Sequence, residues 1–543
     1  MKKYFVLFFS LLPVLLAAQN ITGTITCNGK GVKGVAVSDG DLIVQTDSRG
    51  QYTLQSKKRN GYVFYTLPRG YEPEMADGFN PQFWQKLNSP SISVTEQHDF
   101  RLKRMKNDSF RILIGADTHL ANRAKDLNQF QNLFIPCLQK EKQDAHNAPL
   151  YSMLLGDLTW DVYWTQNKFN LHDFLRTCKE MGYNVPLFPV IGNHDNDPSV
   201  PPTPQTDFLS SGPWRDIICP NYYSYNLGKV HFIVLDDIYY MNEDTGGKYA
   251  EGVVGSRNYM GMITEEQFAW LKQDLALVPN PKTPIVVALH IPTLKTDPSN
   301  DFATFYTLED GTSERLCETL REYTNVHIVS GHTHYNYCAH PEQYPNITEH
   351  NIAAVSAAWW NTGNQTGRHL CTDGSPGGYC ICTVKGRKLR WQYHSMEDNG
   401  NLQLRIIDMN PVRDYSSNFA PVRDFLKAYP DRTDFSQIGD DKIYVNVFAY
   451  DCDWKVEVFE EGTPLEVKHE FVEDPLRLLA FDMPSFLKKG VAAKGSQGKP
   501  NRHMFTADAH SATTTITVRV TDSFGKVYTQ ELKRPARYDL SIQ

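Results

Sequence analysis

The rhythm of apolar and polar positions divides the chain into three stretches. Residues 20–104 alternate with a period of two in short runs, as in "GTITCNGKGVKGVAVSDGDLIVQTDSRGQYTL", and Asn-Gly, Asp-Gly and Ser-Arg-Gly turns punctuate them. This predicts a small N-terminal β-sandwich domain over 19–104. From 109 to 398, apolar strands alternate with helical patterns such as "DLNQFQNLFIPCLQKEK" and "TEEQFAWLKQDLALV". The second opens on Thr264 with Gln267 three places on, the spacing of a capping box. Alternating strands and helices predict a layered α/β core, closed by "GGYCICTVKGRKLRWQYHS", a hairpin turning at Gly386. From 399 to 543, "DDKIYVNVF", "WKVEVFEEG" and "TTTITVRVTDSFGKVYTQEL" return to period two and predict a second all-β domain.

The stretch before these, "MKKYFVLFFSLLPVLLAAQN", has two lysines, an apolar run and a close on Ala17-Ala18. It predicts a cleavable signal over 1–18 and a periplasmic or secreted protein. The run is short for a membrane span, Pro13 interrupts it, and no Cys follows the small residues to carry a lipid. No other segment is long and apolar enough to cross a membrane. Removing Lys2 and Lys3 takes the formal net charge from −7 to −9. That acidic balance disfavours a long nucleic acid partner but leaves room for a small anionic substrate. The ten cysteines form neither a disulfide framework nor a zinc-knuckle spacing and read mostly as core residues. Export would allow some of them to oxidise.

Five apolar runs of the middle stretch end alike. "FRILIGADTH" delivers Asp117 and His119, and "LYSMLLGDLTWD" delivers Asp157. "LFPVIGNHD" delivers Asn193, His194 and Asp195, "TPIVVALHIP" delivers His290, and "VHIVSGHTH" delivers His332 and His334. In α/β sheets, functional groups collect beyond the carboxyl ends of the strands, so five such ends point to one shared site. Carboxylate, imidazole and amide oxygen together suit zinc or another first-row divalent metal better than calcium. One carboxylate can bridge two ions about 3.5–4 Å apart, and such a pair clamps an anionic ester and activates water. Taken singly, Asp117-Thr-His119 is a common tripeptide, Gly156-Asp157 a plain turn and His290 a core histidine; the ordered set is what carries the argument.

That ordered set, Asp-x-His, Gly-Asp, Gly-Asn-His-Asp, a lone His and Gly-His-x-His, resembles the calcineurin-like metallophosphoesterase superfamily. The likeness covers the middle stretch, and the flanks resemble the β domains of its exported bacterial members. It implies a two-sheet α/β sandwich with two divalent ions (Mn, Fe, Zn or similar) at its edge. By resemblance, Asp117, His119 and His334 hold one metal, Asn193, His290 and His332 the other, and Asp157 bridges them. His194 is then the proton donor to the leaving group, and Asp195 orients it.

The chain also departs from known branches. Where the purple acid phosphatases carry a Tyr ligand, three residues after the Gly-Asp aspartate, this chain has Trp160, which cannot ligate. Protein Ser/Thr phosphatases carry Asp then Arg after Gly-Asp; here Asp161 stands one place late with no Arg, and it reads equally as a hydrogen-bonding partner of a ligand or a solvated loop residue. Trp359 and Trp360 read as core or as pocket walls. Tyr222, Tyr223 and Tyr225 read as packing, and Asp236 and Asp237 end the strand "VHFIVLDD" where they could lie near the site, although no motif claims them. The resulting reading is an exported dimetal hydrolase of small phosphate monoesters or diesters. The alternatives are a nucleotidase or cyclic-nucleotide phosphodiesterase, or an envelope- or glycan-binding protein acting through its β domains.

Overall fold

Every apolar run that ends in a candidate ligand is a strand. Ser109–Gly115, Leu150–Leu155 and Leu187–Val190 lie parallel, and the hairpin Gly378–Lys385 with Lys388–Ser395 extends them into a five-stranded sheet. A six-stranded sheet runs Tyr223–Leu227, Val230–Val234, Ile285–Ala288, Val326–Ser330, Ile347–Asn351, Tyr337–Ala339, with its four central strands parallel. The strands Leu150–Leu155, Leu187–Val190 and Ile285–Ala288 are buried along their whole length. They therefore read as continuous apolar runs, not alternating ones.

This computed structural model describes residues 20–146, 148–297, 300–362, 369–397, 402–490 and 500–536. The predicted signal over 1–18 lies outside the described residues. Among those described, no helix is long and apolar enough to cross a membrane.

Two helices show how local chemistry shapes the core. The stretch from 126 to 144 is helical throughout but carries a π-helical turn at Phe130–Phe134, between Asp126–Gln129 and Ile135–Asp144. The helix Glu265–Ala276 is capped by Thr264, whose side chain accepts the Gln267 N–H. Gln267 does not complete the capping box. Its amide instead pairs with the Asp236 backbone, accepting that N–H at 2.9 Å and donating to that carbonyl at 2.7 Å, which ties the helix to the strand end.

The N-terminal domain is a pair of sheets of six and four strands. Its apolar core is continuous with that of the α/β core, and polar contacts seal the junction. Trp270 Nε1 donates to Ser38 Oγ at 3.1 Å and Tyr222 Oη to the Gly40 carbonyl at 2.8 Å. Tyr222, Tyr223 and Tyr225 are buried packing residues; the Tyr225 ring stacks 4.0 Å from that of Phe188.

The C-terminal domain has two four-stranded sheets, but it is not all-β. Helices Met409–Asn418, Ala420–Ala428 and Met483–Lys489 cover one of them through a separate apolar cluster. The sequence held the signals for the first two: Asp408 caps one by accepting the Asn410 N–H, and Pro421 opens the other. The domain grips a core loop at Asp373-Gly374. Asn446 Nδ2 donates to the Asp373 carbonyl at 3.1 Å, His503 Nε2 lies 3.2 Å from Asp373 Oδ2, and Arg405 donates to the Gly374 carbonyl at 2.7 Å.

None of the ten cysteines is in a disulfide, and all but Cys338 and Cys452 are buried.

Candidate metal centre

The carboxyl ends of the two core sheets meet, and the seven predicted ligands converge there. Asp117, His119, Asp157 and Asn193 come from the five-stranded sheet; His290, His332 and His334 come from the six-stranded one. Six of the seven side chains are buried, and His332 is nearly so. The approach is close enough to require glycine. At Gly156, φ is +83° and a Cβ would lie 2.4 Å from His290 Nδ1; at Gly331 it would lie 2.8 Å from Asp117 Oδ2.

Two clusters of donor atoms result. In one, His119 Nε2 and His334 Nε2 are 3.0 Å apart, with Asp117 Oδ1 3.7 and 3.4 Å from them. In the other, His290 Nε2 lies 3.0 Å from Asn193 Oδ1 and 3.1 Å from His332 Nδ1. Asp157 Oδ2 belongs to both, 3.5 Å from His119 Nε2 and 3.4 Å from His290 Nε2. Bonds of about 2.0–2.2 Å to a first-row ion separate neighbouring donors by about 3.0–3.5 Å, so the spacings fit. Tautomers fit as well. His290 Nδ1 donates to the Leu155 carbonyl at 2.7 Å and His334 Nδ1 to that of Ala357 at 2.6 Å, which turns each Nε2 lone pair inward. Asp117 Oδ1 is buried with no hydrogen-bond partner, as expected of a metal ligand.

The electrostatics suit a site for cations. Burial works to raise the Asp117 and Asp157 carboxyls, but the surrounding imidazoles overcome it and hold both below the usual carboxylate range. Burial would lower His290, but Asp157 and Asp117 lift it to about 10. His119 and His332 are pushed down, mainly by burial, to about 4 and about 3. A metal ion must displace the His290 proton to bind. The backbone is strained here too: Asp117, His119, Asp157, His332 and His334 all have φ between +42° and +66°. Non-glycine residues adopt such values at a cost of order 1–3 kcal/mol each.

His194 stands beside the clusters. Its N–H donates to Asp157 Oδ1 at 2.8 Å, and its ring lies 5.3 Å from that of His119. One of its ring nitrogens is also near enough to His119 and Asp157 to complete a third ion-sized triad. Its Nδ1 pairs with Asp161 Oδ1 at 2.8 Å. Burial would depress the imidazole, yet Asp157 and Asp161 raise it above its ordinary value.

The expected role of Asp195 is corrected by this geometry. Asp195 does not touch the His194 ring. As the last residue of the short turn Asn193–Asp195, its carboxylate folds back to accept the N–H of Gly192 at 3.0 Å and those of Leu158 and Thr159 at 3.1 and 3.0 Å. It staples the loop bearing Asp157 to the loop bearing Asn193. The carboxylate that meets the ring is Asp161, which a short 3-10 turn, Asp161–Tyr163, places at its Nδ1.

Sequence reasoning missed three further residues. Arg257 donates to Asp161 Oδ1 at 2.8 Å and reaches 3.5 Å from His194 Nδ1; it comes from a loop without a motif. Tyr259 Oη lies 3.4 Å from His332 Nε2. Arg123 stacks over Trp160 and donates to the Trp359 carbonyl. The two adjacent tryptophans part company. Trp360 is core, donating to the Thr118 carbonyl at 2.7 Å, whereas Trp359 stacks on His334 with centroids 4.2 Å apart. Trp160 lies 5.3 Å from the His119 ring. Asp237 supports the site from behind, accepting the N–H groups of His290 and Ile291, while Asp236 binds Asn221.

Two mixed sheets whose strand ends bring together paired clusters of Asp, His and Asn define a dinuclear metallophosphoesterase sandwich. The chain belongs to the calcineurin-like phosphoesterase family. The profile described as "Calcineurin-like phosphoesterase" matches residues 110–336, and those for the N terminal and C terminal of calcineurin-like phosphoesterase match 19–105 and 349–528. A curated relative, purple acid phosphatase 23 of Arabidopsis thaliana, is 24% identical over 254 residues, which is 44% of this chain and 45% of that protein. The chain thus spans less than half the length of that relative. Among solved structures, a dimetal phosphatase from Danio rerio is 16% identical with a TM-score of 0.35, covering 53% of this chain and 97% of that one. A 5'-nucleotidase from Candida albicans is 11% identical with a TM-score of 0.28, covering 53% and 51%.

Proposed function

We propose that this chain is an exported, dinuclear-metal hydrolase of small phosphate esters. One observation carries the reading: Asp157 Oδ2 is shared between two donor clusters, 3.5 Å from His119 Nε2 and 3.4 Å from His290 Nε2, with the His194–Asp161 pair directly beside it. Two divalent ions held there supply charge stabilisation for an in-line displacement at phosphorus and a nucleophile at neutral pH. The protein's own contributions follow from its contacts. Asp117, His119 and His334 form one cradle, Asn193, His290 and His332 the other, and Asp157 fixes their separation. With Asp161 accepting from His194 Nδ1, Nε2 is the atom that delivers a proton to the leaving oxygen. Arg257 adds positive charge beside that ring and favours an anionic ester. Export rests on the basic-apolar-small pattern of residues 1–18.

The test is elemental analysis joined to a phosphoester panel on one purified sample. Turnover dependent on two equivalents of a divalent metal is expected. A folded, metal-loaded sample inactive on both monoesters and diesters would overturn the proposal.

A second reading, a nucleotidase or cyclic-nucleotide phosphodiesterase, is favoured by Trp160 and Trp359. Their ring centroids are 6.4 Å apart at the edge of the metal cluster, inclined by 34°, and they offer π-faces to a planar leaving group. Nucleotides hydrolysed faster than lipid-headgroup diesters would select this reading; the reverse order would reject it.

A further inference from the structure

Another group of ligand-type side chains lies outside the dinuclear centre, where the core meets the C-terminal domain. His340 follows the edge strand Tyr337–Ala339, and Asp451 and Cys452 lie on the loop after Lys442–Val447 of the C-terminal domain. One donor atom from each of the three falls within 4.8 Å of the others. His340 Nε2 is 2.6 Å from Asp451 Oδ1. Cys338, two residues before His340 and so on the same face of the extended chain, has its thiol 3.5 Å from His350 Nδ1. A cavity of about 70 Å³ lined by Cys338, His350, Cys380 and Asp451 adjoins the group. His340 and Asp451 retain 33% and 14% side-chain exposure, so an ion has a route in.

We propose that His340, Asp451 and Cys452 form a three-ligand zinc site that clips the C-terminal domain to the catalytic core. The donor set distinguishes it from the dinuclear centre, which contains no thiolate. Imidazole, carboxylate and thiolate together suit zinc better than the hard ions calcium and magnesium. Binding releases the thiol proton and the proton shared between His340 and Asp451. A tetrahedral ion with bonds of about 2.0–2.2 Å needs these two donors about 3.3 Å apart, an opening of well under 1 Å. The ligands come from two domains, so the ion stabilises their association and the folded chain together.

The absence of sulfur from the dinuclear centre gives a clean test on the full-length chain. Cobalt loading of the wild type should produce a thiolate-to-cobalt charge-transfer absorption, and zinc loading should give one equivalent beyond those of the dinuclear centre. Cys452→Ser should lose that absorption and that one equivalent while keeping the other two and the hydrolytic rate. Asp157→Asn should do the reverse, keeping the absorption. His340→Ala serves as a second variant with the same expected loss, should Cys452→Ser fold poorly. A cobalt-loaded wild type without the absorption, a metal count unchanged in both variants, or Cys338 and Cys452 found joined as a disulfide by intact mass would each overturn the proposal.

Discussion

Replacing Asp161 by Asn separates the proposed roles of two neighbouring carboxylates. Asp161 is fully buried at its side chain and accepts from His194 Nδ1 and Arg257 Nη1, both at 2.8 Å. A hydrogen bond between charged groups contributes a net ~1.5–3 kcal/mol. That energy holds the proton on His194 and orients the ring, so its loss lowers the protonated fraction at neutral pH and slows turnover by up to ~10- to 150-fold. Arg257 would also remain beside the ring without its counter-charge, which points to the upper part of that range. The loss should depend on the leaving group. An alkyl phosphate, which needs protonation, should show the full effect, and 4-nitrophenyl phosphate, which leaves as a stable anion, should show little. Metal content should not change. Asp195→Asn should behave in the opposite way: its carboxylate holds the backbone of Leu158, Thr159 and Gly192, so metal occupancy and Tm should fall with no change in leaving-group sensitivity. If Asp195→Asn altered leaving-group dependence and Asp161→Asn did not, the dyad assignment would be wrong.

Asp157→Asn should empty both cradles, because a single oxygen serves both clusters; elemental analysis showing full occupancy would contradict the bridge. Metal affinity should rise with pH from 7 toward 10, since His290, raised to about 10, holds a proton below that value that the ion must displace, whereas His119 and His332, lowered to about 4 and about 3, are already free. Calorimetry in buffers of different ionisation enthalpy should find at least one proton released per chain at pH 7, and finding none would refute the linkage. In the N-terminal domain, Glu96 accepts from Lys58 Nζ at 2.6 Å and from the Asn88 N–H at 2.6 Å, and despite burial these bonds lower it to about 2. A depressed carboxyl contributes stability above its unfolded pKa and loses it as pH falls. Glu96→Gln should therefore melt earlier than wild type at pH 7, and the gap should close between about pH 4.5 and about 2. A gap that persists at pH 2 would count against the ion pair.

The strand ends were legible because fully buried parallel strands are short apolar runs, and a polar ligand directly after such a run breaks the pattern visibly. His290 after "IVVAL" and His332 after "VHIVSG" are of this kind. What the sequence hid lies where local pattern and long-range contact diverge. Asp195 is adjacent to His194 in the chain, yet adjacency on a tight turn sends the two side chains in different directions. Asp161 lies 33 residues away and meets the ring. Arg257 is a further 96 residues beyond Asp161, on a loop with neither periodicity nor motif. The helices of the C-terminal domain were obscured by the strands around them, although the Asp408 cap and Pro421 were available as signals.

The arrangement of the ligand carboxylates explains how strained loops can hold a metal site. Each cluster draws on both sheets: Asp117 and His119 meet His334, while Asp157 and Asn193 meet His290 and His332. Neither sheet alone carries a complete cradle, so metals held there would cross-link the sheets. Each carboxylate divides its oxygens between two tasks. Asp117 turns Oδ1 to its cluster and uses Oδ2 to accept the His332 N–H, across the sheet boundary, at 2.8 Å; Asp157 turns Oδ2 to both clusters and uses Oδ1 to accept the His194 N–H at 2.8 Å. The backbone bonds fix the carboxylate planes, and so fix which lone pairs face the ions. They also offset part of the cost of five left-handed residues. Substituting either carboxylate by an amide would keep one acceptor oxygen, but that oxygen can serve only one of the two tasks, so loss of metal and loosening of the sheet junction should occur together.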